Sequence, residues 1–215
     1  MVDATLLPAI TATVRANEIG AGTPYELEYA RKDKSGASFG FMQGDTNANP
    51  LARQTLQDVC AAANVDPGAA SRILTAVCRG LPHGNPLNPA DTATANGALA
   101  SAAGRPLVDA MDLTLMQRVL NDLDRCIAAA ATRGQTLSGV AHLFIVPWIN
   151  MTGAPNTLMT WLKGTPINGI PAPAGPEVEG DEVSAYLHSQ TYFQNNPKNF
   201  KHYVEAVNTG APLLP

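Results

Sequence analysis

The feature of this sequence that most limits its fold is a long stretch of helical periodicity, from about residue 107 to residue 132. Apolar residues recur there every three or four positions, so that one helix would carry an apolar stripe made of Leu113, Met116, Leu120, Leu123 and Ile127. Such a stripe is typical of a helix packed into a protein core. Strands do not alternate with helices along the chain, which argues against a doubly wound sheet.

Most of the remaining chain also has helical periodicity. The pattern predicts further helices at about 3–16, 51–63, 67–79, 137–149, 154–163, 181–193 and 197–207. Residues 20–48 differ, because they are polar and rich in turn formers. Two β-like runs in this segment, Leu27 to Arg31 and Ser38 to Met42, predict a small hairpin. Gly80 to Asn96 is predicted to be a loop. The predicted fold class is therefore α+β, mainly helical, with one β-hairpin.

The domain organisation follows from a shift in composition near residue 164. Residues 164–180 are rich in proline and glycine and are predicted to form a loop. We therefore predict one catalytic domain over residues 1–163 and a helical extension over residues 181–215 that packs back on this domain.

Composition excludes several functional classes. With a net charge of −4 and only the short basic run Arg31 to Lys34, the chain is not expected to bind nucleic acid. Three scattered cysteines, without zinc-site or disulfide-framework spacing, are expected to be buried free thiols. Neither a metal nor a cofactor is predicted. No apolar run reaches the length of a membrane span, so membrane insertion is not expected.

The N-terminus has no basic start followed by an apolar core, so no signal peptide is predicted. We expect a protein made in the cytoplasm, without a signal peptide. If it acts on a cell wall, it is expected to arrive there by release or delivery, as in phage lysis or through a secretion system.

Glu18 is the most informative acidic residue. It lies where the first apolar helix ends, and Gly20 is a plausible helix stop. Burial favours the protonated form of a carboxyl group, and glycoside hydrolysis needs an acid that keeps its proton until the leaving oxygen takes it. A second carboxylate is often needed as well. The polar stretch that follows offers several, namely Glu26, Glu28, Asp33 and Asp45.

The segment from Ser38 to Asp45 reads Ser-Phe-Gly-Phe-Met-Gln-Gly-Asp. Together with a helix that ends in Glu18, it resembles the active-site region of the lysozyme superfamily, and goose-type lysozymes and soluble lytic transglycosylases in particular. This resemblance covers about residues 10–46. It implies a lysozyme-like domain whose active-site cleft lies between a helical lobe and the hairpin.

The resemblance also implies roles for individual residues. Glu18 is the catalytic acid, Asp33 matches a water-activating aspartate, and Asp45 matches the aspartate that follows the glutamine in goose-type enzymes. The residues implied to bind the sugar chain are Ser38, Phe39, Gly40 and Gln43.

Two further residues are predicted to bind substrate. Trp148 to Pro155 resembles the Ala-Tyr-Asn-Ala-Gly-Pro-Gly segment of lytic transglycosylases, which implies that Asn150 contacts sugar. The segment departs from that pattern around the asparagine. Tyr29 either lines the groove or packs the hairpin.

The function implied by the resemblance is cleavage of the β-1,4 bond between MurNAc and GlcNAc in peptidoglycan by a muramidase. The protein is expected to be a monomer. A lytic transglycosylase and a chitosanase-like enzyme are alternatives with related chemistry. A non-catalytic wall-binding protein on the same scaffold is the alternative from a different class.

A rival motif overlaps the same segment. Gly36-Ala37-Ser38-Phe39-Gly40 fits G-x-S-x-G, the nucleophile elbow of serine hydrolases. That elbow requires a buried strand before the serine and a helix directly after it. The charged residues upstream and the turn formers downstream of Ser38 do not predict this context, so an esterase is not favoured.

Overall fold

The computed structural model describes residues 2–30 and 34–215. Its helices and strands, in chain order, are α1 (Leu7–Glu18), β1 (Glu28–Tyr29), β2 (Ala37–Phe39), β3 (Gly44–Asp45), α2 (Pro50–Ala62), α3 (Pro67–Val77), α4 (Pro89–Leu99), α5 (Arg105–Ala131), β4 (Thr136–Leu137), α6 (Gly139–Thr152), α7 (Asn156–Leu162), β5 (Glu177–Val178), α8 (Gly180–His188), α9 (Thr191–Asn195) and α10 (Pro197–Gly210). Short 3-10 turns precede α1 and follow α10. The prediction of a mainly helical α+β fold is confirmed, and the lysozyme-like arrangement stays a prediction.

The chain divides into two compact units. The continuous unit comprises Ala21–Met116, and the discontinuous unit comprises Met1–Gly20 together with Gln117–Pro215. The predicted catalytic range, 1–163, therefore contains residues of both units. The predicted C-terminal extension, 181–215, belongs to the same unit as α1.

The continuous unit contains a three-stranded antiparallel sheet in the order β1-β2-β3. In its register, Ser38 of β2 lies between Glu28 of β1 and Asp45 of β3. The predicted hairpin is thus present with shorter strands, and a third strand joins it. Gly44 and Asp45 were not predicted as a strand, because two residues are too few to show an alternating pattern.

Helices α2, α3 and α4 of the continuous unit begin in the same way, with an Asx residue followed by proline. The side chain of the Asx residue accepts a hydrogen bond from a backbone N–H of the first turn, and the proline occupies a position that needs no N–H donor. The capping residues are Asn49, Asp66 and Asn88. The predicted loop at 80–96 is wrong from Pro89 onward, where α4 begins.

Helices α1, α6 and α10 form the centre of the discontinuous unit, where α1 packs against both of the others and α6 also packs against α8. Helix α10 approaches α1 closely at Gly210. A Cβ atom there would overlap Thr13 Oγ1 and would lie 2.5 Å from the carbonyl oxygen of Ala9. A short parallel pair, β4 with β5, links Leu137 to Val178. This pair is absent from the predicted fold.

The buried face of α5 differs from the predicted stripe. Leu113 is 69% exposed, whereas the neighbouring Asp112 has no accessible surface. Met116 and Leu123 are buried as predicted. Among the cysteines, all free, Cys60 and Cys126 are buried as predicted, but Cys78 is only half-buried.

Within the described residues, no helix combines the length and the apolar character that crossing a membrane requires.

Candidate active site

Glu18 is the last residue of α1, as the sequence predicts. The helix stops there because Gly20 adopts a positive φ of +52°, and its N–H bonds to the carbonyl oxygen of Arg15 at 3.1 Å. The side chain of Glu18 is half-buried. Its Oε1 accepts a hydrogen bond of 2.9 Å from Nδ2 of Asn17.

Two consecutive residues of α10 meet this end of α1. Nε2 of His202 lies 3.1 Å from the carbonyl oxygen of Asn17. Tyr203 is buried, and its hydroxyl donates to the carbonyl oxygen of Phe144 in α6. Burial raises the pKa of Tyr203 well above its ordinary value, and the negative charge of Glu18 adds to the rise. Because His202 contacts Asn17, the next residue of α10, Tyr203, is brought to the end of α1 that carries Glu18.

Asn150 lies in the last turn of α6 and is half-buried. This helix continues to Thr152 and ends at Gly153, whose φ is +76°. Asn150 is therefore a helical residue of the discontinuous unit, to which Glu18 also belongs. Its sugar contact stays a prediction.

The other predicted binding residues lie in the continuous unit, around the turn segment, which we define as residues 36–48. This segment contains β2, the turn Gly40–Gln43 and β3. The carboxyl group of Asp112 on α5 accepts hydrogen bonds from the N–H groups of Phe41 at 2.8 Å and Met42 at 3.1 Å. A buried side chain from a distant helix thus holds the turn at two consecutive N–H groups.

Gly40 allows this close approach. Its φ is +79°, which favours glycine, and a Cβ atom there would overlap Oδ1 of Asp112 and lie 2.9 Å from its Cγ. The carboxyl group therefore occupies the space that any other side chain at residue 40 would need.

Gln43 closes the turn. It has a φ of +51°, uncommon for a residue other than glycine. Its backbone N–H and its side-chain Nε2 both donate to the carbonyl oxygen of Gly40, at 3.2 and 3.1 Å. Because Nε2 donates to Gly40, the orientation of the half-buried Gln43 amide depends on the conformation of Gly40.

The remaining predicted residues of the sheet differ in accessibility. Ser38 is half-buried, but Phe39 has no accessible surface. Phe39 therefore lies in the core of the continuous unit in this structure, and its contact with a sugar stays a prediction. Tyr29 is half-buried, and its hydroxyl group is buried without a hydrogen-bond partner in the described part of the chain. Burial raises the pKa of Tyr29 to about 12.

Asp45 is tied to the backbone of its own segment. Its Oδ1 accepts hydrogen bonds from the N–H groups of Gly36 at 3.0 Å, Asn47 at 2.7 Å and Ala48 at 3.0 Å. These three hydrogen bonds make Asp45 a turn-forming residue. Asp33, the other predicted partner of Glu18, lies outside the described residues.

Neither the serine-hydrolase geometry nor a metal-binding cluster is found here. Ser38 is in the middle of β2, followed by a turn and β3, and the next helix begins only at Pro50. The strand-serine-helix arrangement of a nucleophile elbow is therefore not formed. Across residues 2–30 and 34–215, no group of three or more His, Cys, Asp or Glu side chains is arranged to hold a metal ion.

Comparison of the chain with protein-family models, with curated proteins and with solved structures gives no match.

Two residues near the predicted site were not identified from the sequence as part of it. Tyr203 was assigned only to a packing face of a C-terminal helix, and Asp112 lies beside a predicted apolar stripe without any signal of burial. The Gly40–Phe41–Met42 spacing could have suggested a tight turn, but it does not identify the distant carboxyl group that holds it.

Proposed function

We propose that this protein is a peptidoglycan-cleaving glycosidase, a muramidase of lysozyme-like type, in which Glu18 is the general acid. The observation that carries the proposal is the position of Glu18 at the end of α1, where it is half-buried, accepts a hydrogen bond from Asn17 and lies where α10 meets α1. Desolvation of a carboxyl group favours its protonated form, and an acid catalyst of glycoside hydrolysis must keep its proton until the leaving oxygen takes it.

In the proposed reaction, the carboxyl group of Glu18 donates its proton to the glycosidic oxygen between MurNAc and GlcNAc. The bond from that oxygen to the sugar C1 breaks, and positive charge develops on the ring. Water then attacks C1 from the opposite face, and a second carboxylate accepts a proton from the water. Asp33 and Asp45 are the candidates for this second role.

A lytic transglycosylase is the second candidate, favoured by the contacts of Asp45. Oδ1 of that residue already accepts three backbone N–H groups, so one of its two oxygens is committed to holding the turn. In a lytic reaction Glu18 acts alone. After giving its proton to the leaving oxygen, it removes a proton from a hydroxyl group of the same sugar, whose oxygen bonds to C1 and forms an anhydro ring.

The proposed substrate is the glycan strand of peptidoglycan, reached after release or delivery of the protein to the wall. The turn segment supports this assignment, because Asp112 and Asp45 hold its backbone by hydrogen bonds and a groove that binds a polymer needs fixed hydrogen-bonding groups. A chitosanase-like enzyme would share the acid but would prefer a glycan without lactyl groups.

The direct test is the loss of turbidity of purified peptidoglycan with wild type and with Glu18→Gln. Glutamine keeps the shape and can still accept from Asn17, but it cannot supply a proton. We expect the rate to fall by at least about 100-fold. Glu205→Gln is the matched control, because Glu205 is an exposed glutamate of the same unit. Its rate should equal that of wild type.

Equal clearing by wild type and Glu18→Gln would remove Glu18 from the reaction. Binding to peptidoglycan without clearing by either protein would instead favour a non-catalytic wall-binding protein. For an active enzyme, mass spectrometry of the released muropeptides separates the two reactions. Reducing ends indicate hydrolysis, and anhydro ends indicate a lytic transglycosylase.

A further inference from the structure

We infer that Asp112 is a positioning residue for substrate binding, which holds the Gly40–Gln43 turn so that the Gln43 amide faces the glycan in a fixed orientation. This inference rests on the proposed function for the identity of the ligand. The contacts that carry it lie wholly within the continuous unit.

Asp112 occupies an unusual location for a carboxyl group. It is an acidic residue with no accessible surface, placed on the long helix α5. An aspartate is seldom buried completely unless its oxygens are hydrogen-bonded. Here the two oxygens accept from two successive N–H groups of the turn, those of Phe41 and Met42.

The side chain of Gln43 depends on this contact. The N–H groups of Phe41 and Met42 fix the orientation of the peptide planes between Gly40 and Met42. The carbonyl oxygen of Gly40 belongs to this turn, and it accepts from both the backbone N–H and Nε2 of Gln43. A change at Asp112 is therefore transmitted to the Gln43 side chain through one carbonyl group.

Part of the Gln43 amide group remains available to bind a ligand. With one Nε2 hydrogen directed at Gly40, the carbonyl oxygen of the amide and the second Nε2 hydrogen have defined directions. An acceptor and a donor side by side match the N-acetyl and hydroxyl groups of an amino-sugar chain. A fixed amide binds such groups with less loss of side-chain entropy than a mobile one.

The test uses the whole 215-residue chain and soluble, uncross-linked glycan strands from peptidoglycan. Asp112→Asn keeps the size of the side chain and one acceptor oxygen, but its amino group cannot accept from a backbone N–H. We expect KM to rise about tenfold with kcat within about threefold of wild type, since a binding contact is misplaced and Glu18 is unchanged. Asp91→Asn is the matched control. Asp91 is a buried aspartate of the same unit that bonds Arg72 and Asn88, and KM should not change.

A double-mutant cycle with Gln43→Ala tests whether Asp112 acts through Gln43. If it does, Asp112→Asn adds little to the rise in KM that Gln43→Ala already causes. Fully additive effects, or an unchanged KM in Asp112→Asn, overturn the inference. If Asp112→Asn does not fold, Gly40→Ala disturbs the same contact from the other side, and the same rise in KM is expected.

NMR without any glycan separates this inference from the proposed function. In Asp112→Asn, the amides of Phe41 and Met42 should exchange faster with solvent, and the Nε2 signals of Gln43 should shift. If those signals shift no more than in Asp91→Asn, the positioning role is overturned even for an active enzyme. If wild type does not cleave glycan but the signals respond as expected, the proposed function fails and Asp112 still positions Gln43.

Discussion

At the scale of single residues, the aspartates of the candidate site differ in what they hold. Asp112 reaches the turn Gly40–Gln43 from a distant helix, whereas Asp45 binds the backbone on either side of it in sequence. Both carboxyl groups accept backbone N–H groups, which would otherwise lack partners where the chain turns too tightly for a regular ladder.

The contacts of Asp45 lead to a prediction that separates turn formation from catalysis. Asp45→Asn keeps Oδ1 as an acceptor and removes the charge, so we expect cleavage of peptidoglycan within about threefold of wild type. Asp45→Ala removes the acceptor for three N–H groups and should lower the free energy of unfolding by about 1–3 kcal/mol. Urea unfolding and turbidity assays measure the two effects. A loss of cleavage of about 100-fold in Asp45→Asn would instead identify Asp45 as the water-activating base.

Sequence patterns predicted the location of Glu18, but not its surroundings. An apolar helix followed by a glycine stop is a local signal, so the end of α1 could be predicted. Tyr203 is brought to that end by packing between helices far apart in sequence, and no local pattern contains this information. Asp112 illustrates the same limit, because its burial depends on a turn about seventy residues away in sequence.

At the scale of elements, the sequence marks where helices begin more clearly than it marks which side of a helix is buried. Asn49-Pro50 marks the beginning of α2, and Asn88-Pro89 marks α4 by the same physical rule. Helix α4 was nevertheless missed. Its buried side chains are small apart from Leu99, so the sequence shows no apolar stripe. The pairing of β4 with β5 was missed because each strand has two residues and depends on a partner far away in sequence.

Substitution by alanine is expected to have opposite effects at two helical glycines, because only Gly210 lies where α10 closely approaches α1. Gly97→Ala in α4 adds a methyl group where nothing lies within 4 Å, so it should raise the free energy of unfolding by up to about 1 kcal/mol. Gly210→Ala has no such room, because the methyl group would overlap Thr13 Oγ1. We expect it to lower the free energy of unfolding by about 1–3 kcal/mol. Denaturant unfolding measures both changes, and stabilisation by Gly210→Ala would show that the two helices do not meet so closely.

At the scale of the whole molecule, the boundaries of the compact units were beyond the reach of composition. The Pro- and Gly-rich residues 164–180 predicted a loop between a catalytic domain and a helical extension, and this division stays a prediction. The two compact units divide elsewhere, within α5 and after Gly20. Composition reports where the chain turns, whereas unit boundaries depend on which helices pack together. Helix α1 has its main partner in α10, at the other end of the described chain.

The pH dependence of stability follows from a buried histidine of the discontinuous unit. Burial lowers the pKa of His142, and its contact with the carbonyl oxygen of Ser138 offsets part of this change. The unfolded chain then binds a proton at a higher pH than the folded protein does. Stability is therefore retained above the ordinary value of about 6.5 and is lost as the pH falls below it towards the lowered pKa.

We accordingly expect the urea midpoint of wild type to decrease between pH 7.5 and pH 5.5. His142→Asn keeps a hydrogen-bond donor without the titration, and it should lose less of its midpoint over the same interval. His83→Asn is the control, because His83 is exposed, and it should behave as wild type. An equal loss in His142→Asn and wild type would contradict the assignment.

The packing of α1 against α10 also determines when α1 can reach its native surroundings during synthesis of the chain on the ribosome. At about 5–20 residues per second, α10 is translated on the order of ten seconds or more after α1. The continuous unit is made of consecutive residues and can fold in that interval, whereas α1 cannot pack against α10 until α10 has been translated. Until then, Glu18 lacks Tyr203 as a neighbour. If Glu18 is the proposed acid, a nascent chain gains its catalytic surroundings late, which keeps an unfinished enzyme inactive inside the cell that makes it.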